Sequence, residues 1–411
     1  MSSVDVLVIG GGAAGIAAGR RLLGQKRSFL IVEAADRLGG RAWTRMIDGM
    51  ALDMGCGWLH SADRNSWAKL AEEQGVRIDK TPPAWRRQFA QLGFSREEQQ
   101  EAESAFSDFD RRLRDMPSAS DRASELLEPG QRWNDYLQAL SGFMNGAELG
   151  QLSVADYLAF ADADSEVNWR LPNGYGALVA AAAEELPIAL GSPIERLEWH
   201  SEPIRAFGGA GVIEARAVIV TVPTEILARE HLAFSPPLPD KVEAASNLPL
   251  GLANKSFLGL DRPEPFEPDT SLIGDPRDPD TGAYYLRPFG LPVIECFFGG
   301  AGARALEAEG AGAGPDFAIQ QLVSLFGSGI RRRLRPLAET RWGRDSLILG
   351  SYSHALPGRA ADRAALARPV EDRLFFAGEA CSAEDFSTAH GAHESGVAAA
   401  EAALESLRIA A

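Results

Sequence analysis

The amino-acid sequence predicts an α/β fold in which a domain built on a parallel sheet is interleaved with a second, α+β domain. Three observations carry this. Two apolar runs, Val4–Ile9 (VDVLVI) and Ser28–Glu33 (SFLIVE), flank a triplet of glycines and a helical segment, Ala13–Leu23. Strand, turn, helix and strand in so short a span make a βαβ unit, with parallel strands and a right-handed crossover. Further on, Glu97–Leu127 is rich in Glu, Asp, Arg and Ser, with Phe106, Phe109 and Leu113 at helical spacing. β-type patterning then returns in Val212–Pro223 (VIEARAVIVTVP) and in Leu374–Ala377 (LFFA).

The elements follow in order. No strand pattern interrupts residues 80–168, which read as a helical insertion. Ile194–Trp199, Lys255–Leu260 and Val293–Phe298 are further strand candidates, and Phe317–Phe326 reads as a helix. Gly299–Pro315, dense in Gly and Ala, reads as a surface connection, with no more than a helical turn at Ala303–Glu309. A final helix is expected from about Thr388, and Val397–Ala411 is amphipathic. No internal repeat appears. The alternation predicts two discontinuous domains: residues 1–79, 169–245 and 345–411 in the first, 80–168 and 246–344 in the second.

Composition narrows the class. The 411 residues are 45% hydrophobic and 24% charged, ordinary for a globular protein. The 42 Gly and 24 Pro show no strict period, which excludes collagen, and 3 Cys without a C-x-x-C pair exclude a disulfide scaffold. With 41 Lys+Arg against 57 Asp+Glu, the net charge of −16 argues against nucleic acid or an anionic membrane as partner and is compatible with a cationic substrate. Residues 1–12 lack a basic region and carry Asp5, so they read as a buried strand rather than a signal peptide. No stretch reaches the ~20 apolar residues of a membrane helix, so no membrane partner is expected. Few, unpaired cysteines make the cytoplasm the default compartment. The residues carry no signal for oligomeric state.

The glycine turn carries the first chemistry. In Gly10-x-Gly12-x-x-Gly15, the first Gly permits the tight turn, the second lets backbone approach a pyrophosphate, and the third packs helix on strand. Helix N-terminal N–H groups, including that of Ala14, face the phosphates. Glu33 ends the second strand, where a carboxylate can accept hydrogen bonds from ribose hydroxyls. An adenine dinucleotide is expected, and this motif leaves NAD and FAD both open.

The next segments separate them. Arg37–Thr44 (RLGGRAWT) resembles the L-G-G-R-x-x-T signature of flavin-dependent amine oxidases, a group that includes polyamine oxidases, monoamine oxidases and histone lysine demethylases. Asp53–His60 (DMGCGWLH), Asn254-Lys255, Trp342 with Gly350–Ser353 (GSYS), and Leu374–Ser382 (LFFAGEACS) with Thr388–Gly396 (TAHGAHESG) are similar to further segments of that family, in the same order. The resemblance spans residues 10 to 396. It implies a Rossmann-type FAD-binding domain in three segments plus a substrate domain. It implies oxidation of an amine at its α C–H bond, hydride equivalents passing to flavin N5, hydrolysis of the iminium, and reoxidation by O2 to give hydrogen peroxide.

By resemblance, Lys255 holds a water at flavin N5. Its strand is mostly apolar, so its ammonium must be partnered or face a cavity. Gly40, Arg41, Gly57, Val222, Gly378, Glu379, Thr388 and Ala389 fall on cofactor-binding positions; Arg41 suits the pyrophosphate, and the last helix start suits negative charge on the flavin ring. Trp58, His60, Trp342 and Tyr352 fall on positions close to the flavin, with Trp58 also counted at the cofactor. Aromatic walls suit an amine. His60 either handles the substrate proton or caps a turn. Arg170 either recognises a substrate carboxylate or forms a structural ion pair. His390, His393 and Glu394 lack further ligands near them, so no metal is expected. Ser351 stands where monoamine oxidases carry the flavin-linked Cys, so FAD is expected to be noncovalent, and Ala392 falls near the second tyrosine of their aromatic cage. The expected substrate is a polyamine or related amine. An L-amino acid oxidase, a related desaturase and a non-catalytic flavin-binding protein are the alternatives.

Overall fold

A computed structural model describes residues 2–83, 85, 88–116, 118–209 and 211–409. The N-terminal unit forms as its pattern requires: strand Ser2–Ile9, helix Ala13–Leu22, strand Phe29–Val32, with the two strands parallel. Ser2–Ile9 also pairs in parallel with Gly211–Val220, and Leu374–Phe376 adds in parallel to the far side of that strand. Central strands are buried on both faces, which is why they read as unbroken apolar runs. Ile188–Ala189 extends one edge; an antiparallel meander of Ile204–Gly208 and Ile194–Glu198, then Ala233–Ser235, extends the other, for eight strands in all.

Helix Ala13–Leu22 lies along the final helix, Ala389–Ile409. The approach is close: a Cβ on Gly396 would fall 2.1 Å from the Ala14 carbonyl oxygen. This pair, together with Leu59, Trp67 and Leu178, covers one face of the sheet, while Leu197, Ile204, Leu227 and Leu366 build the core of the other.

The second sheet is antiparallel, in the order Thr270–Ile273, Ala283–Leu286, Val293–Gly299, Ala253–Leu260, Leu334–Glu339. Its core gathers Phe257, Leu272, Tyr284, Ile294, Phe298 and Trp342. The insertion is helical, with Arg96–Asp115, Asn134–Asn145 and Val154–Ala163. The first starts at a capping box between Ser95 and Glu98 and buries Ala102, Ala105, Phe109 and Leu113, one stripe of a 3.6-residue period.

One expectation is overturned. Gly299–Pro315 is not a surface connection: Gly300–Glu309 is a helix of 10 residues, and another begins at Ala313. The glycines are there for contact. A Cβ on Gly299 would meet the Gly142 carbonyl oxygen at 1.9 Å, one on Gly302 the Asp280 carbonyl oxygen at 2.9 Å, and one on Gly314 the Ser256 hydroxyl at 2.7 Å. Composition signalled looseness where the residues serve tight packing. Short strands such as Thr44–Ile47, Met50–Asp53 and Ile204–Gly208 also lack a sequence signal strong enough to see. Among the described residues, no helix is long and apolar enough to cross a membrane.

Candidate active site

One cavity of about 1740 Å³ runs from the glycine turn of the first sheet to the aromatic wall of the second. Pockets for one small ligand typically hold about 300–1,000 Å³, so this one has room for a dinucleotide and a substrate. Every expected site residue lines it except Gly15. Gly15 instead packs helix on turn: a Cβ there would lie 1.9 Å from the Gly10 carbonyl oxygen.

At the nucleotide end, Gly10 has φ +111°, which an L side chain resists. Helix Ala13–Leu22 starts with no side-chain cap, so its first N–H groups stay available to an anion. The Glu33 carboxylate accepts from Gly11 N at 2.6 Å and Ala35 N at 2.7 Å, which fixes it at the cavity rim with lone pairs to spare. Gly378, at φ +142°, shows bare backbone with nothing within 4 Å of a would-be Cβ. An uncapped helix start, a fixed carboxylate and bare glycine backbone fit an adenine dinucleotide. Gly12, Ala14, Gly40, Val222, Thr388 and Ala389 also line the cavity.

Arg41 and Glu379 form an ion pair. Arg41 Nη1 donates to Glu379 Oε1 at 2.8 Å and to the Ser351 carbonyl at 2.6 Å. Glu379 also accepts from the Ser353 hydroxyl at 2.6 Å, Ser353 N at 3.2 Å and Ser387 N at 2.9 Å. Burial alone would raise its pKa, but Arg41, Ser353 and Arg363 together hold it below the usual carboxylate range.

At the other end, Lys255 is 6% exposed and is both partnered and cavity-facing. Its Nζ pairs with Glu295 Oε1 at 2.7 Å and donates to the Asp53 carbonyl at 3.0 Å. An ammonium has three N–H donors, so one remains. Gly57 makes room for it, since a Cβ there would stand 3.3 Å from Nζ. The Asp53 side chain accepts from Thr44 Oγ1, Tyr175 N and Gly176 N, and burial pushes its pKa up against those bonds.

Trp58 meets Trp85 edge-on at 4.5 Å and Tyr285 at 6.0 Å, while Trp342 meets Trp43 at 6.2 Å. Tyr352 lends its ring to the wall but commits its hydroxyl to the Phe143 carbonyl at 2.6 Å. His60 Nδ1 lies 2.6 Å from Asn168 Oδ1, and Asn168 Nδ2 donates to the Glu166 carbonyl, which sets the amide orientation. Nδ1 is therefore the donor, and Nε2 keeps a free lone pair. Burial lowers the His60 pKa, with Asn168 opposing, so the ring favours its neutral form.

Arg170 takes the structural reading. At 4% exposure, its Nη2 donates to Asp79 and Asp269, both at 2.8 Å, and its guanidinium sits against Trp58, Tyr285 and Phe289 at 4.8, 5.0 and 4.2 Å. His390 binds Asp385, which also holds Arg64, and His393 packs on Trp67. The sequence reading missed Glu295, Trp85, Tyr285 and Asn168. Glu295 was visible as a lone charge in an apolar run, but only the register, with Lys255 opposite Phe297, brings it to the lysine.

A dinucleotide-binding sheet joined across one cavity to a lysine in an aromatic wall defines a nucleotide-cofactor oxidoreductase. The chain belongs to the flavin-containing amine oxidoreductase family, whose model matches residues 13–404. It is therefore an FAD-dependent enzyme that oxidises amines. It is 30% identical to polyamine oxidase 4 of Oryza sativa subsp. japonica, covering 97% of this chain and 88% of that one. It is 26% identical to lysine-specific histone demethylase 1 homolog 2 of Arabidopsis thaliana, covering 96% of this chain and 57% of that one. Among solved structures, it shares its fold with a wild-type putrescine oxidase bound to putrescine (TM-score 0.78, 18% identity, 97% and 98% covered). Cyclohexylamine oxidase from Brevibacterium oxydans IH-35A is similar too (TM-score 0.76, 21% identity, 98% and 99% covered).

Proposed function

We propose that this enzyme oxidises the C–N bond of a polyamine or related amine without an α-carboxylate, with O2 as acceptor. The products are an imine, hydrolysed to an aldehyde or ketone and a released amine, and hydrogen peroxide. The carrying observation is the single cavity that joins the Gly10–Gly12 turn and Glu33 to Lys255, Trp58, His60, Trp342 and Tyr352.

FAD, when bound, accepts the two electrons of the amine and passes them to O2. The glycine turn, the uncapped helix start and Arg41 would hold its pyrophosphate, Glu33 its ribose, Gly378 and Glu379 the dinucleotide chain, and Thr388 and Ala389, at the start of the last helix, would stabilise negative charge on its ring. FAD is held noncovalently: the Ser351 hydroxyl is engaged with Ala253, accepting from its N at 2.8 Å and donating to its carbonyl at 2.7 Å. Neutral His60 presents Nε2 to take the proton an ammonium must lose before oxidation. The remaining N–H of Lys255 holds a water at the reacting centre. Trp58, Trp342 and Tyr352 exclude bulk water and offer ring faces to a cation.

The charge of the wall favours a cationic substrate. Among the described residues that line the cavity, Asp and Glu number twelve against six Lys and Arg, an excess of six acids. Arg170 does not offer a carboxylate site, because two aspartates already surround its single charge. The division into residues 1–79, 169–245 and 345–411 against 80–168 and 246–344 puts the cavity between the two sheets. Cys56, Cys296 and Cys381 are free thiols, which suits a reducing cytoplasm.

The test is a screen of spermine, spermidine, putrescine, tyramine and L-amino acids under air, read as peroxide. Peroxide from the polyamines is the expected result. Turnover confined to substrates with an α-carboxylate overturns the proposal, and no bleaching of the flavin by any amine without air makes the protein a flavin binder.

A further inference from the structure

Helix Gly300–Glu309 buries Gly300, Gly302, Ala303 and Glu307, so one carboxylate sits on a face otherwise made of the smallest residues. Glu307 is 7% exposed, and among the described residues no Lys, Arg or His lies within ion-pair distance of its carboxylate. Burying a charge without a counter-ion costs free energy that an apolar side chain would not. Glu307 does not line the cavity, so it neither binds nor reacts with anything there.

Its carboxylate instead holds the chain neighbours of two residues that do line it, Lys255 and Trp342. Its Oε1 accepts from Asn254 Nδ2 at 2.8 Å and from Gly343 N at 3.0 Å. The carboxylate lies directly on that turn, since a Cβ on Gly343 would meet Oε2 at 2.6 Å. With Nδ2 engaged, Asn254 must point Oδ1 the other way, where it accepts from Trp342 N at 3.0 Å and Thr340 Oγ1 at 3.4 Å. Thr340 Oγ1 in turn accepts from Lys255 N at 2.8 Å, and Thr340 N donates to the Lys255 carbonyl at 2.8 Å. A chain of buried hydrogen bonds thus runs from Glu307 to the backbone of both Lys255 and Trp342, from behind the wall.

We infer that Glu307 is a positioning residue for the oxidase site: by orienting Asn254 it sets the lysine strand against the Trp342 turn. This rests on the reading of Lys255 and Trp342 given above. A positional error of about 1 Å at a reacting centre can cost roughly a hundred-fold in rate. Glu307→Ala is therefore expected to lower kcat roughly ten- to a hundred-fold with little change in KM and with FAD retained. Glu307→Gln keeps an acceptor oxygen at Oε1 for both donors and is expected to restore most of the rate. Asn254→Ala should match Glu307→Ala, and the double variant should be no worse than either, as for members of one network.

A measurement independent of turnover accompanies this. Hydrogen exchange on the FAD-loaded protein should show faster exchange in peptides containing Trp342 and Gly343 in Glu307→Ala and not in Glu307→Gln, with helix Ala13–Leu22 unchanged in both. Unchanged exchange at residues 342–343, exchange raised everywhere, or faster exchange at wild-type kcat would each overturn the inference. If Glu307→Ala does not accumulate folded, Asn254→Ala carries the same comparison. Lys255→Met in parallel separates the two readings: wild-type turnover there removes the lysine's role, while the exchange result still decides whether Glu307 holds the Trp342 turn.

Discussion

Replacing His354 by leucine is expected to flatten the acid limb of this protein's stability. His354 is 4% exposed, beside Arg363 and Asp156, and neither ring nitrogen has a hydrogen-bond partner. Burial, then the Arg363 charge, pushes its pKa from 6.5 down to about 4; Asp156 and Glu148 oppose, and Arg304 adds slightly. A histidine with a depressed folded pKa favours the folded state fully above the unfolded value, and loses that contribution as pH falls from 6.5 towards 4. At about 1.4 kcal/mol per pH unit, the full gap amounts to about 3.5 kcal/mol, of which about 3 kcal/mol is lost by pH 4, where the folded-state ring is half protonated. Urea unfolding with saturating FAD, at pH 7 and pH 4, measures it. The wild type should lose about 3 kcal/mol more than His354→Leu between the two pH values. The pH-independent packing change of the substitution cancels in that difference. His393, also pushed down to about 4 by burial and by Arg20, is common to both proteins and cancels too. Equal losses in the two proteins would refute the reasoning, by showing that His354 titrates in the fold as it does in the unfolded chain.

Other perturbations have equally definite outcomes. Lys255→Met should keep FAD bound while slowing peroxide formation roughly a hundred-fold, the usual scale for deleting one pre-placed donor; an unchanged rate removes Lys255 from the mechanism. Arg363, 1% exposed, binds Asp156 through two bonds of 2.6 and 2.8 Å, so Arg363→Met strands a buried carboxylate and should cost about 3–5 kcal/mol in denaturant unfolding. Arg363→Met with Asp156→Leu should recover much of that, and a double variant as unstable as the sum of the singles would contradict it. Gly15→Ala forces a Cβ to within 1.9 Å of the Gly10 carbonyl, so the protein should purify without its yellow flavin colour; a normal flavin spectrum would show that the turn can give way.

Legibility in the sequence followed how local each device is. The Gly10–Gly15 turn and Glu33 are a short-range arrangement, with Gly11 N bonded to a carboxylate in the next strand, so residue type and spacing nearly specify the geometry. Lys255 stood out because a cation in an apolar strand needs a reason, but its partner Glu295 lies on another strand, and pairing register is not written in either strand alone. The same holds for His60 and Asn168, 108 residues apart. Gly299–Pro315 misled because glycine reads as looseness in sequence, whereas Gly299, Gly302 and Gly314 are small so that other backbone and side chains can reach them.

By itself, the sequence determined the α/β class and marked the Gly10–Gly15 turn, because backbone turns depend on residues near one another in the chain, and its resemblance to flavin-dependent amine oxidases pointed to the cofactor and the chemistry. Only the tertiary structure decided what surrounds the reacting end. It closed Arg170 between Asp79 and Asp269, gave Lys255 its carboxylate, left His60 one free nitrogen, and turned a stretch read as a loop into the helix that carries Glu307. Burial and long-range pairing set charge and proton state, and both exist only once the two sheets face each other across the cavity.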